Sequence, residues 1–296
     1  MTPQFRWAPS SPPIATIHRH ICGAPEQWPC PKLDAFSPSA KALALDHWRA
    51  RLVATFQSVR QAASIHRWLL DHYLPFDIQS AQTYVISELN RHLALLGHLV
   101  VELGAPNQIE VPTASRSTDT PSLSVQLTCL FGFNLPISHP LYQSLAAVSD
   151  DEAIAEIATM LADSTEELMA LGKLLLAWIH RRTDPPELHL RSSQLSSLMA
   201  AFETAIGANP DVLDHLAGQE LTLTRRDDNP GILPQNERQM IFYASLSDGV
   251  FNLFEHLGFQ PLDLFHQRDS SADIETSFPI VIAASGHTPS PNHRIH

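Results

Sequence analysis

Cysteine is scarce in this chain. There are three, Cys22, Cys30 and Cys129, and no Cys-x-x-Cys. An odd number without paired spacing argues against a disulfide framework and against a thiolate zinc site. Cys129 sits in an apolar run and reads as a small core residue. Basic residues are also few: 19 Lys and Arg stand against 31 Asp and Glu, a formal charge of −12. A general binder of nucleic acid or of anionic membrane needs clustered cations to neutralise phosphates, so neither partner is expected. The doublets Arg181-Arg182 and Arg225-Arg226 are too short to make a patch, and the first reads as charge placed at a helix C-terminus.

Long hydrophobic runs are missing too. None reaches the ~18 residues of a membrane span. The best candidates are interrupted by His98 and Glu102 in one case and by Lys173 in the other. The first 31 residues lack the basic head and apolar stretch of a secretory signal, and the cytoplasm is the expected location. Catalytic signatures are absent as well: no G-x-G-x-x-G, no Walker loop, no G-x-S-x-G and no H-E-x-x-H. Ser285-Gly286-His287 lacks the strand–turn–helix setting of a nucleophile elbow. A carboxylate-bridged di-iron bundle needs Glu-x-x-His on two helices, and no Glu-x-x-His occurs; Asp263-Leu264-Phe265-His266 is the nearest substitute. Without Cys-x-x-Cys-His, haem attached through thioethers is not expected.

What is present is apolar material with helical spacing. Hydrophobic residues make up 44% and charged residues 17%, enough for a sizeable core and unlike a disordered chain. Residues 1–36 hold seven prolines and read as an irregular N-terminal arm. A helix is expected from Ser39 to Tyr73, where Leu45, Trp48, Leu52, Phe56, Val59, Ala63, His66 and Leu70 step by three and four until Pro75. The next, Ser80 to Leu103, has Val85, Leu89, His92, Leu96, Leu99 and Leu103 on one face, with Gly104 and Pro106 as stop signals. Residues 105–122 read as a polar loop. The alternation from Leu123 to Phe131 fits a short strand or a short helix.

Capping boxes at Ser149-Asp150-Asp151-Glu152 and Ser164-Thr165-Glu166-Glu167 predict two successive helices, the second reaching Arg182. Further helices are expected over 193–206, from Asn209-Pro210 to Gly218, and from an Asn236 cap to Leu257. Phe278 to Ala284 fits one strand. The sum is an all-α fold: a single multi-helix bundle of seven or eight helices over 37–266, with at most one or two short strands and a polar C-terminal tail over 267–296.

Three constellations are candidates for chemistry. His66 and His92 occupy apolar stripes where leucine is expected, and Glu88 is one turn before His92. A buried imidazole must satisfy its nitrogens; metal ligation is one way, and a bond to a backbone carbonyl or hydroxyl is the other. Asp248, Asn252 and Glu255, with His256 beside them, form a polar stripe that either lines a cavity or faces solvent. Asp150, Asp151, Glu152 and Glu156 suit magnesium, but acids in a first helical turn are favoured by the helix dipole in any case. With the 248–255 stripe they invite comparison with helical isoprenoid cyclases, although Phe251 stands where that pattern wants a hydroxyl.

The leading expectation from sequence is an iron-dependent oxygenase, haem or non-haem, acting on a small organic molecule in a bundle pocket. His66 and His92 are the metal candidates, and His66, His92 and His256 the haem candidates. Glu88 and His92 are the catalytic pair, with Glu88 or a second histidine handling protons. The alternatives are a non-catalytic helical protein that binds a small molecule or a partner protein, and a magnesium-dependent lyase. Histidine is abundant, at 16; protonating all of them would move the formal charge from −12 to +4, so poor behaviour in mild acid is expected.

Overall fold

The computed structural model describes residues 4–6, 12–106, 108–110, 122–181, 190–207, 223 and 228–268. Among them are eight helical rods and a single pair of three-residue strands, the all-α bundle that the apolar spacing predicts. The strands, β1 (Gln4–Arg6) and β2 (Gln108–Glu110), pair antiparallel, and β2 lies in the segment expected to be loop. The arm is not irregular throughout. α1 (Pro12–Cys22) forms within it, with both prolines in the first turn, where a missing N–H removes no helical bond.

α2 (Pro38–Asp71) is capped by Ser37, whose hydroxyl accepts from the Ala40 N–H. It folds back through a tight turn into α3 (Phe76–Glu102). Gln82 Nε2 donates to the Ala62 carbonyl at 2.9 Å and fixes the antiparallel register of the two helices. The expected stripe of α3, Val85 to Leu103, is buried along its whole length. Gly104, at φ +99°, ends the helix as expected.

α4 (Leu123–Leu127) runs through a π-helical turn, Thr128–Asn134, into α5 (Leu135–Val148). The strand alternative for this segment fails because Leu123 to Val125 and Leu127 to Asn134 are all buried, so a period of two carried no information. The wide turn has a local cause. Pro136 offers no N–H to the carbonyl four residues back, and Pro140 repeats the gap one turn on.

α6 (Glu152–His180) is one helix where two capping boxes predict two. Its stripe of Ile154, Ile157, Leu161, Thr165, Leu168, Gly172, Leu175 and Ile179 is buried without interruption and carries the helix through the second box. α7 (Ser192–Ala205) matches expectation. α8 (Gln235–Ser245) starts after Pro234 rather than at an Asn236 cap. It continues through a second π-helical turn, Leu246–Phe251, into α9 (Asn252–His256), and α10 (Pro261–His266) follows. The helix expected from Asn209 to Gly218, the strand over Phe278–Ala284 and nearly all of the tail lie outside the described residues.

Three apolar clusters fill the interior. One joins α2, α3, α5 and α6 around Trp48, Leu96, Leu145 and Ile157. A second joins the α2–α3 turn to α6 through Ile65, Val85, Phe131 and Leu168. The third is aromatic, with Phe133, Phe202, Phe242 and Phe254 between α5, α7 and α9. No described helix is long and apolar enough to cross a membrane.

Candidate functional site

His92 is buried on α3 as the stripe predicts, and its Nε2 has no hydrogen-bond partner. Burial, and to a lesser degree the Arg91 charge, lower its pKa to about 4, so the imidazole is neutral at pH 7. His66 is half-buried on α2, with Nδ1 likewise without a partner. The two histidines do not meet. The α2–α3 register sets His92 beside the neighbourhood of Leu52, some fourteen residues along α2 from His66. At ~1.5 Å per residue that is roughly 20 Å, far beyond a shared ion.

Glu88 is engaged elsewhere: its Oε2 accepts from the Ser164 hydroxyl at 2.9 Å and from Arg91 Nη1 at 3.4 Å. His256 is exposed, and its Nδ1 lies 2.6 Å from the Asn252 carbonyl at the end of α9. Among the described residues no group of three or more His, Cys, Asp and Glu is placed to hold a metal ion.

The acidic clusters resolve into the plainer of their two readings. Asp151 caps α6: Oδ1 accepts from the Ile154 N–H at 2.9 Å, and Oδ2 accepts from the Lys32 N–H at 2.8 Å. Asp150 accepts from the Asn229 N–H at 2.9 Å and ties the α8 approach to the head of α6. Asp248, Asn252 and Glu255 are exposed to solvent. Cys129 is a core residue as expected, and burial raises its thiol to about 12.

A different group of residues is buried and chemically unusual. The inward stripe of α2 is Ala44, Trp48, Arg51, Thr55, Ser58, Ala62, Ile65 and Leu69, one step round the helix from the stripe expected from apolar spacing. Its middle is polar. Arg51 is 2% exposed, His47 one turn before it is 3% exposed, Tyr142 of α5 is 3% exposed and Arg238 of α8 is 7% exposed. These four are close enough to influence one another's charge, on α2, α5 and α8. Arg51 and Arg238 both act on His47, Arg238 and Tyr142 act on Arg51, and Thr55 shares a hydrogen bond with the Tyr142 phenol. Trp48 Nε1 donates to the Pro230 carbonyl at 3.3 Å and holds the approach to α8 against α2.

Two guanidinium groups and a neutral imidazole share this buried seam. Burial lowers Arg51 to about 10, which still leaves it charged at pH 7. Burial, then Arg51 and Arg238, hold His47 well below the usual imidazole range, so it is neutral. Among the described residues, the charges that act on His47 and Arg51 are the two arginines and the Tyr142 phenol. Nε2 of His47, Nε of Arg51 and Nε of Arg238 all lack hydrogen-bond partners. Apolar periodicity skipped this seam because it is not apolar. The available signal was a 4-3-4-3-4-3-4 spacing that runs from Ala44 to Leu69 only if Arg51, Thr55 and Ser58 are counted as inward.

Comparison with protein-family models, curated proteins and solved structures finds no match for this chain.

Proposed function

We propose that this chain binds a small organic molecule inside its helical bundle, at the polar seam where α2, α5 and α8 meet. The observation that carries this reading is a buried polar seam in which Arg51 Nε, Arg238 Nε and His47 Nε2 have no hydrogen-bond partner among the described residues. Unsatisfied buried polar groups are rare enough to need a cause. A bound ligand supplies one. Native mass spectrometry of the freshly purified chain tests it: a small molecule is expected to travel with the protein and to be lost on denaturation. A chain that carries nothing, and takes up nothing from a small-molecule extract, sinks the reading.

An iron-dependent oxygenase is the second reading, and His92 is what favours it. A neutral, buried imidazole with a free Nε2 is the single axial ligand that haem asks of a helix. The non-haem form has less support, since His66 stands far from His92 and Glu88 is bound to Ser164 and Arg91. The absorption spectrum and iron content of the same preparation decide this. A Soret band lost in His92→Ala with helicity retained supports haem; a colourless, iron-free chain that haem does not bind removes it.

A further inference from the structure

We propose that α1 docks the chain onto an anionic lipid bilayer, lying in the plane of the surface with Ile14, Ile17 and Ile21 at the boundary between headgroups and acyl chains. This is a second site, separate from the seam.

The helix carries its apolar side outward. At ~100° per residue the three isoleucines fall within about 60° of one another. Each is between 52% and 60% exposed. The side that meets the body is a different one. Cys22 is buried near Glu88 and Arg91 of α3, and Ala15 is half-buried on the same side, roughly 120° round from the stripe. A single exposed isoleucine needs no explanation, but three in helical register form a patch. The fold presents this patch from fixed ends. β1 pairs with β2 ahead of the helix, and Gly23, at φ +95°, ends it. Trp28 packs against that glycine and meets the His98 ring of α3 edge-on, with centroids 5.5 Å apart.

Charge selects the occupant. The −12 of the whole chain argues against a general binder of anionic membrane, but it is unevenly spread. All 31 acidic residues lie from Glu26 onward, whereas Arg6 and Arg19 precede it. Arg19 stands behind the stripe and pairs with Glu26 at 3.1 Å, with both side chains more than half exposed. Such a surface pair is weak, and the arginine stem is long enough to carry its fork to headgroup phosphates. On the body side, Glu88 and Arg91 are themselves paired. A basic helix with an exposed apolar stripe is suited to lie on a bilayer, which asks for no matching shape. A second copy fits less well. The three isoleucines together expose less than two whole residues of their kind, far short of the ~1,200 Å² of a stable dimer.

The test is co-sedimentation of the full chain with extruded vesicles. Vesicles of about three parts phosphatidylcholine to one of phosphatidylserine are compared with pure phosphatidylcholine. The mixed vesicles are expected to retain the chain about fivefold better or more. Ile14→Gln, Ile17→Gln and Ile21→Gln together should lower that retention by about tenfold or more. All three positions are exposed, so Tm and helicity should stay as in wild type. Arg19→Gln should weaken retention by about fivefold, and Glu26→Gln, which frees Arg19, should strengthen it by a similar factor. Leu262→Gln, an exposed apolar site on α10, should change nothing.

The proposal is overturned if the mixed vesicles retain no chain, if pure phosphatidylcholine retains it equally, or if the triple isoleucine variant is retained like wild type. A dimer in sedimentation velocity that the triple variant abolishes, with no retention by vesicles, assigns the stripe to a second copy and overturns the lipid inference as well.

Discussion

At the scale of single residues, His92 shows what a sequence does and does not reveal about a buried imidazole. Its place on the α3 stripe was legible, because its five stripe neighbours are all aliphatic and a histidine among them must follow them inward. Its bonding was not, since partners come from other helices that the sequence does not order in space. The depressed pKa has a consequence for stability. The unfolded chain binds a proton at the ordinary value of 6.5, whereas the folded chain resists it until about 4. Between those values the unfolded state holds more protons, so stability is complete above pH 6.5 and falls as pH drops toward 4. By pH 5 the loss from this group is about 2 kcal/mol. His92→Leu should abolish that share, and it removes a buried nitrogen without a partner. Urea unfolding at pH 7.5 and pH 5 checks this. If the variant loses as much as wild type between the two, His92 is not the source of the acid sensitivity.

At the scale of elements, the outcome depended on whether inward residues were apolar. α3 was placed correctly because its inward face is. α2 was found as a helix, but its apolar stripe was set too far round, and of the stripe residues expected between Leu45 and Tyr73 only Trp48 and Leu52 are buried. The second capping box failed for the reverse reason. Ser164 and Thr165 look like a start signal, yet inside α6 their hydroxyls bond Glu88 and the Leu161 carbonyl, and the apolar stripe overrides the local cap. The tie between α7 and the end of α10 was equally hidden. Glu203, 2% exposed, takes Arg268 on both oxygens, and Tyr243 donates to the same carboxylate at 2.6 Å. Removing one member of such a pair strands a buried charge, at about 3–5 kcal/mol. Arg268→Met should therefore destabilise the chain by that order, and Glu203→Leu with Arg268→Met should recover most of it. Denaturant midpoints of the single and double variants measure both. An additive double variant would mean that the pair contributes nothing as a pair.

At the scale of the whole molecule, composition had identified the class of fold, since 44% hydrophobic residues in three- and four-residue steps leave a helical bundle as the economical way to hide them. It could not identify the seam, which depends on three helices distant in sequence meeting at one place. Composition also bears on acid behaviour, and here two effects overlap in pH. The surface histidines gain charge as the carboxylates keep theirs, so the net charge passes from −12 toward zero near the sequence pI of 5.7. In the same interval the buried imidazoles of His47 and His92 begin to favour the unfolded chain. Loss of repulsion acts on folded molecules, whereas the histidine linkage acts through unfolding, and one variant separates them. His92→Leu changes the linkage and leaves the folded-state charge above pH 5 as it was, because His92 is neutral there. Light scattering of the cold, folded protein should therefore begin to rise near pH 5.7 in wild type and variant alike, while the pH of half-unfolding at raised temperature shifts downward in the variant only. An onset of scattering that moves with the variant would assign the acid aggregation to opened molecules instead of to neutralised surfaces.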